Sequence, residues 1–276
     1  MKVLVIADVH GRKFWRQAIA SNIDKVDKII FLGDYLDPYP NELEENPELM
    51  ECRSSDDYIK LFEMLEDIVS LKKKEPNKYI LLTGNHTDTY IWSKFRSASR
   101  TDYVNWEKYH KFFSQNLKYF NLVWIENNVI FSHAGISEGW ANEFIYRYML
   151  YNEGAELERD SLVYETAKVL MDTPLDKFNI HYIYALRCVS SYRWGDAPYG
   201  SCEWADIREH INQAKTLELK RNDKITKIIP LGEEGIYQVF GHTQLKAPLI
   251  TDKWACLDCR QGFIFDTETY ECKSCL

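Results

Sequence analysis

The chain of 276 residues carries 34 Lys and Arg against 42 Asp and Glu, a net charge of −8, with 45% hydrophobic residues. That hydrophobic share fills a sizeable core and excludes a disordered state, while the acidic balance disfavours a broad duplex nucleic-acid interface without excluding a small phosphorylated substrate. No apolar run approaches the roughly 20 residues of a membrane helix, Val3 to Ala7 stops at Asp8 too soon for a secretory signal, and the odd number of cysteines, seven, argues against a disulfide framework; the expectation is a soluble, cytoplasmic protein with no membrane partner.

Lys2 to Ala7 is an almost unbroken β-branched and apolar run, the pattern of a buried parallel strand, and polar Asp8-Val9-His10-Gly11 follows at once. The same order of events recurs at Lys28 to Leu32 before Gly33-Asp34, and at Lys78 to Leu82 before Gly84-Asn85-His86. Phe14 to Ile23 predicts a short helix. Tyr58, Leu61, Phe62, Leu65, Ile68 and Val69 predict one face of a longer helix, with Ser55 or Asp56 as its cap and Pro76 beyond its end. The stretch from Pro38 to Pro47 reads as a surface loop, and the glutamates from Glu42 to Glu51 as solvated.

Trp106 to Phe120 predicts a further helix, and Leu122 to Ile125 with Val129 to Phe131, around Asn127-Asn128, a hairpin that delivers Ser132-His133-Ala134-Gly135. Residues 136–205 read as a helical, aromatic-rich insertion beside the site. Gly235 to Phe240 predicts a strand ending in Gly241-His242-Thr243-Gln244, and from Leu249 onward short antiparallel strands follow, with a Cys-rich β-hairpin at about 254–276. The alternation predicts an α/β fold, a single domain over 1–276, with functional side chains at the carboxyl ends of strands.

Five separated segments thus present an apolar strand, a glycine-bearing turn, and oxygen or imidazole donors. The donors are Asp8 and His10, Asp34, Asn85 with His86, His133, and His242. Mixed carboxylate, amide and imidazole sets suit Mn, Fe or Zn better than calcium, which prefers oxygen alone. One carboxylate shared between two ions gives the spacing of about 3.5–4 Å used in phosphoryl chemistry, and Asp34 is the natural bridge.

These segments, Asp8-Val9-His10, Gly33-Asp34-Tyr35-Leu36-Asp37, Gly84-Asn85-His86, Ser132-His133-Ala134-Gly135 and Gly241-His242-Thr243, resemble in order the signatures of calcineurin-like metallophosphoesterases. The nearest branch is that of the serine/threonine phosphoprotein phosphatases and diadenosine tetraphosphatases. The resemblance implies two packed mixed β-sheets flanked by helices, a four-layer α/β/β/α sandwich. It implies a first metal held by Asp8, His10 and Asp34, and a second held by Asp34, Asn85, His133 and His242, with manganese foremost among the ions. It also implies attack on a phosphate monoester by a hydroxide between the metals, with His86 as general acid oriented by Asp37.

Three departures are visible. Gln244 stands where many nucleotide- and phosphodiester-cleaving branches have a second histidine, Thr87 replaces a common acidic residue, and Pro38-Tyr39 replaces an Arg-Gly that would clamp phosphate. Arg193, in Ser191-Tyr192-Arg193-Trp194-Gly195, is the candidate for the bidentate guanidinium a phosphate requires, with Arg12 and Arg53 as alternates. A nucleotide phosphohydrolase or phosphodiesterase and a non-catalytic scaffold are the alternative readings. Cys256, Cys259, Cys272 and Cys275 have the spacing of a structural zinc site, although a strand's period of two sends Cys256 and Cys259 to opposite faces.

Overall fold

Continuous apolar strands demand cover on both faces, and the architecture supplies it. In the computed structural model, which describes residues 1–54, 56–92, 98–151, 162–178, 180–211, 216–221, 224–230 and 236–275, β1 (Lys2–Ile6) runs through the middle of a six-stranded sheet. Its parallel neighbour is β2 (Lys28–Phe31), reached through α1 (Phe14–Asn22). After α2 (Pro40–Glu45) and α3 (Tyr58–Lys74), β3 (Tyr79–Leu82) adds to β2 in parallel. Beyond α4 (Asn85–Ile91) and α5 (Trp106–Asn116), the short β4 (Phe120–Asn121) closes that edge.

The hairpin β5 (Val123–Glu126) and β6 (Val129–Ser132) begins a second, five-stranded sheet. The chain then passes through α6 (Glu138–Tyr151), α7 (Leu162–Asp172), α8 (Ile180–Leu186), α9 (Ile207–Ile211) and the separate ribbon of β7 (Thr216–Arg221) and β8 (Lys224–Pro230). It returns as β9 (Tyr237–Phe240), parallel to β6, then β10 (Leu249–Ile250) and β11 (Trp254–Cys256) on the far side of β9. Finally β12 (Gly262–Asp266) pairs antiparallel to β1, with β13 (Cys272–Ser274) outside it.

The two-residue alternation of the strands sorts the core. Val3, Val5, Ile30, Leu32, Ile80 and Leu82 meet Val129, Phe131, Val239 and Ala255 between the sheets. Leu4, Ile6, Ile29, Phe31, Tyr79 and Leu81 point the other way, onto Trp15, Leu61, Leu65, Ile68 and Phe113 of α1, α3 and α5. Among the described residues no helix is long and apolar enough to cross a membrane.

Several local expectations change. Helix α3 starts after Asp57, without a side-chain cap, rather than after Asp56, and Ser55 lies outside the described residues. The helix predicted to reach Phe120 stops at Asn116, because Phe120 is taken by β4. Pro40 opens α2 inside the predicted loop, and Glu42 is buried, its carboxylate 2.6 Å from Arg12 Nε and 2.5 Å from Arg260 Nη2. An amphipathic turn with one inward glutamate is hard to see in a run of exposed ones. The final strands are not all antiparallel: β11 runs parallel to β9, so the C-terminal hairpin is β12 and β13 alone.

Phe131 is fully buried between the sheets and edge-on to Phe265 at 6.2 Å. Phe131→Ala should lower unfolding free energy by about 3–5 kcal/mol, read from urea denaturation; a loss below about 1 kcal/mol would contradict this packing.

Candidate metal centre

The strand order decides which loops meet. Adjacent parallel strands β1, β2 and β3 end at Asp8 and His10, at Asp34, and at Asn85; β6 and β9, adjacent in the other sheet, end at His133 and His242. All six side chains therefore arrive at one edge of the sandwich. The backbone there is strained: Asp8, His10, Asp34, Asp37 and His242 all have positive φ, between 43° and 65°, a region that non-glycine residues rarely occupy away from functional sites. Two glycines leave room for the donors. A Cβ on Gly84 would lie 2.4 Å from Asp34 Oδ1, and one on Gly241 would lie 2.2 Å from Asp8 Oδ2.

Asp34 is common to two groups of close donors, His10, Asp34 and His86 in one, Asp34, His133 and His242 in the other. His133 Nε2 lies 3.3 Å from Asp34 Oδ2, 3.1 Å from Asn85 Oδ1 and 3.1 Å from His242 Nδ1. Donors about 2.1 Å from one ion sit roughly 3.0–3.4 Å from each other, so this set has the spacing of a coordination shell. The other ring nitrogens are already engaged. His133 Nδ1 donates to the Leu32 carbonyl at 2.8 Å and His10 Nδ1 to the Leu36 carbonyl at 2.7 Å, which aims each Nε2 lone pair inward, as metal-bound histidines are held. Asp8 stands beside the two groups, its Oδ2 accepting the His242 backbone N–H at 2.9 Å.

Electrostatics give the same answer. Burial pushes Asp8 up to about 6 against the pull of His133, and the Asp34 charge adds to that rise. Burial also opposes the ionisation of Asp34, yet the surrounding histidines, His133 first, hold it well below the usual carboxylate range. Burial works against a charge on His133, but Asp34 and Asp8 outweigh it and push it up to about 10. Burial keeps His10 and His242 neutral, well below the ordinary imidazole value. Asp34 thus keeps its negative charge at the centre of the cluster, with the neutral imidazoles of His10 and His242 beside it. A divalent cation fits that place and that donor set.

On the open side, His86 Nδ1 is 2.6 Å from Asp37 Oδ2, and Tyr90, one turn further along α4, donates to Asp37 Oδ1 at 2.5 Å. Arg100 Nε donates to the Asp37 carbonyl at 3.2 Å, its Nη2 is 3.5 Å from His86 Nε2, and its guanidinium lies 3.7 Å from the centroid of the Tyr39 ring. Arg193 is held by Asp206 at 2.8 Å and by Thr243 Oγ1 at 2.7 Å. A cleft of about 270 Å³ is lined by both arginines together with Asp34, His86, His242, Val189 and Trp204.

The alternates to Arg193 fall elsewhere. Arg12 is buried, with Nε and Nη2 on Glu42 and Nη1 on the Asp8 carbonyl, and exposed Arg53 does not line the cleft. The four cysteines pack into separate parts of the core. Cys256 is buried with Sγ toward the Gly241 and Thr243 carbonyls, Cys259 and Cys272 pack against the core between the sheets, and Cys275 packs on the helical side. Among the described residues, no group of three or more metal-capable donors contains a cysteine. Arg100 and Tyr39 carried no readable signal in the sequence. Tyr90 did carry one, since a residue four positions after His86 on a helix shares its face.

The family model for calcineurin-like phosphoesterases matches residues 1–244, and the chain belongs to that family. A search of the curated proteins gives no match. Among solved structures, the cold-active protein-tyrosine phosphatase of a psychrophilic Shewanella species is 15% identical with a TM-score of 0.47, over 100% of this chain and 80% of that one. A protein serine/threonine phosphatase from Saccharomyces cerevisiae is 13% identical with a TM-score of 0.46, over 96% and 72%. A metallophosphoesterase from Sphaerobacter thermophilus is 18% identical with a TM-score of 0.25, over 49% and 47%. The fold is that of the family: two packed mixed sheets with helices outside them.

Because His133 and His242 come from one sheet and Asp34 and Asn85 from the other, a bound cation ties the sheets together. Dialysis against a chelator should lower the melting temperature, and manganese at about 100 times its Kd should restore about 2.7 kcal/mol of stability. A melting temperature indifferent to chelator and manganese would argue against a metal centre.

Proposed function

We propose that the chain is a phosphatase of the phosphoprotein-phosphatase-like kind, hydrolysing a phosphate monoester with the help of two divalent cations, manganese foremost. The observation that carries the reading is the place of Asp34 between His10, 3.6 Å from Oδ2, and His133, 3.3 Å from it, with His242 in the second group, so that one carboxylate can serve two ions. In this reading His10 and Asp34, with Asp8 beside them, hold the first ion, and Asp34, Asn85, His133 and His242 hold the second. Bound there, the ions would supply Lewis acidity and a nucleophile from water at neutral pH.

The chain's own groups do the rest. Arg193 and Arg100 flank the cleft and present guanidinium groups to the equatorial phosphate oxygens, Arg100 from above the Tyr39 ring where the sequence lacks the expected arginine. Asp37 takes the hydrogen bond from His86 Nδ1, which fixes the imidazole tautomer and turns Nε2 toward the cleft to give a proton to the leaving oxygen. Val189 and Trp204 bring residues of the 136–205 stretch into the wall, which supports its part in choosing the substrate. The presence of every expected donor supports an enzyme over a non-catalytic scaffold.

His86→Asn should reduce kcat by roughly 10²–10⁴-fold with metal content unchanged, and Asp34→Asn should abolish turnover of para-nitrophenyl phosphate. Arg100→Ala should act mainly by raising KM. Wild-type rates in the His86 variant would remove its assignment as the acid. Faster cleavage of bis-para-nitrophenyl phosphate or a dinucleoside tetraphosphate than of any monoester would move the substrate class to diesters or nucleotides.

A further inference from the structure

A third buried carboxylate stands next to the first cation site and is used by nothing described so far. Strand β11 lies parallel to β9 with Cys256 opposite Phe240. The pairing continues past both strand ends: Leu257 N donates to the Phe240 carbonyl at 2.8 Å and Leu245 N to the Asp258 carbonyl at 2.9 Å. Asp258 therefore occupies, on β11, the carboxyl-end position that His242 occupies on β9. It is only 4% exposed, and its Oδ1 has no hydrogen-bond partner.

The charges around Asp258 leave it uncompensated. Burial pushes its carboxyl well above the usual range, and the Asp8 and Asp34 carboxylates press it further, against Arg12 and His133. Arg12 is already committed to Glu42 and to the Asp8 carbonyl, and His133 faces Asp34 at 3.3 Å. Gln244, where a further histidine would stand in other branches, has its amide oxygen engaged by Arg260 Nη2 at 2.5 Å and Nε at 2.8 Å, so that oxygen is not free for a cation. A buried acid with an open acceptor, placed among other acids, calls for a cation.

We propose that Asp258 is a positioning residue of the first cation site, a carboxylate that draws the ion toward Asp8 on the side where Gln244 supplies no donor. The inference rests on the two-cation reading above. It makes Asp258 a determinant of how tightly the first ion is held and leaves the second site to Asn85, His133 and His242.

Asp258→Asn keeps shape and removes charge. Calorimetric titration of the metal-depleted full chain with manganese should show two ions in the wild type. In the variant one dissociation constant should weaken by about tenfold or more, with the other unchanged. The manganese-induced rise in melting temperature should shrink in the variant while the metal-free proteins melt alike; a purely structural aspartate would instead lower the metal-free value and leave the manganese-induced rise unchanged. Two ions in both proteins with matching constants would overturn the role of Asp258, whereas fewer than two in the wild type would overturn the two-cation reading itself. If the variant fails to fold, anomalous scattering from manganese-soaked wild-type crystals decides. An ion in contact with the Asp258 carboxylate, directly or through one water, supports the role, and a first ion beyond that reach removes it.

Discussion

The site is organised around the burial of one carboxylate, Asp34, in a place where it cannot lose its charge. It is 1% exposed, accepts the His86 backbone N–H on Oδ1 at 2.9 Å, and has His133 and His10 within 3.3 and 3.6 Å of Oδ2. A buried anion without compensation is among the costliest features a fold can carry. The chain meets this by bringing imidazoles from both sheets to it, and the loops after β1, β3, β6 and β9 take the paths that this convergence requires. The left-handed backbone at Asp8, His10, Asp34, Asp37 and His242 is the local cost, met by the packed strands that anchor each loop.

A second consequence concerns division of labour. The loops of the six-stranded sheet supply Asp8, His10, Asp34, Asn85 and the His86–Asp37 pair; those after β6 and β9 of the five-stranded sheet supply His133 and His242. The arginines come from neither. Arg100 follows α4, Arg193 belongs to the segment after α8, and both are steered by groups of the site itself, Asp37 and Tyr39 for one, Thr243 and Asp206 for the other. Chemistry is thus placed on rigid strand ends while anion recognition is carried by loops, which can be remodelled without disturbing the donors.

The strands and the meeting of Asp34 with His10, His133 and His242 were legible because both are written locally: an apolar run, a glycine turn, then a ligand-type residue. The convergence of Asp34 with His133 and His242 follows from that recurrent order. What was not legible depends on tertiary placement. Glu42 looked like its exposed neighbours, since only Arg12 and Arg260, distant in sequence, make it an interior residue. Phe120 read as helix because two residues of strand are too short to declare a period of two. Strand β11 read as part of a terminal hairpin, whereas it lies between β9 and β10 in the second sheet. Arg100 lies in a stretch with no periodicity at all, and its meaning comes from the Tyr39 ring beneath it.

The pairing of β1 with β12 has a bearing on how the chain comes to be folded during synthesis. Strand β1 emerges long before its partner β12, which lies about 260 residues further along the chain, Lys2 standing opposite Asp266. Contacts so distant along the chain slow folding and leave an unsatisfied strand edge in the interim. His242 also emerges late, so the nascent protein holds its acids together well before the last imidazole arrives.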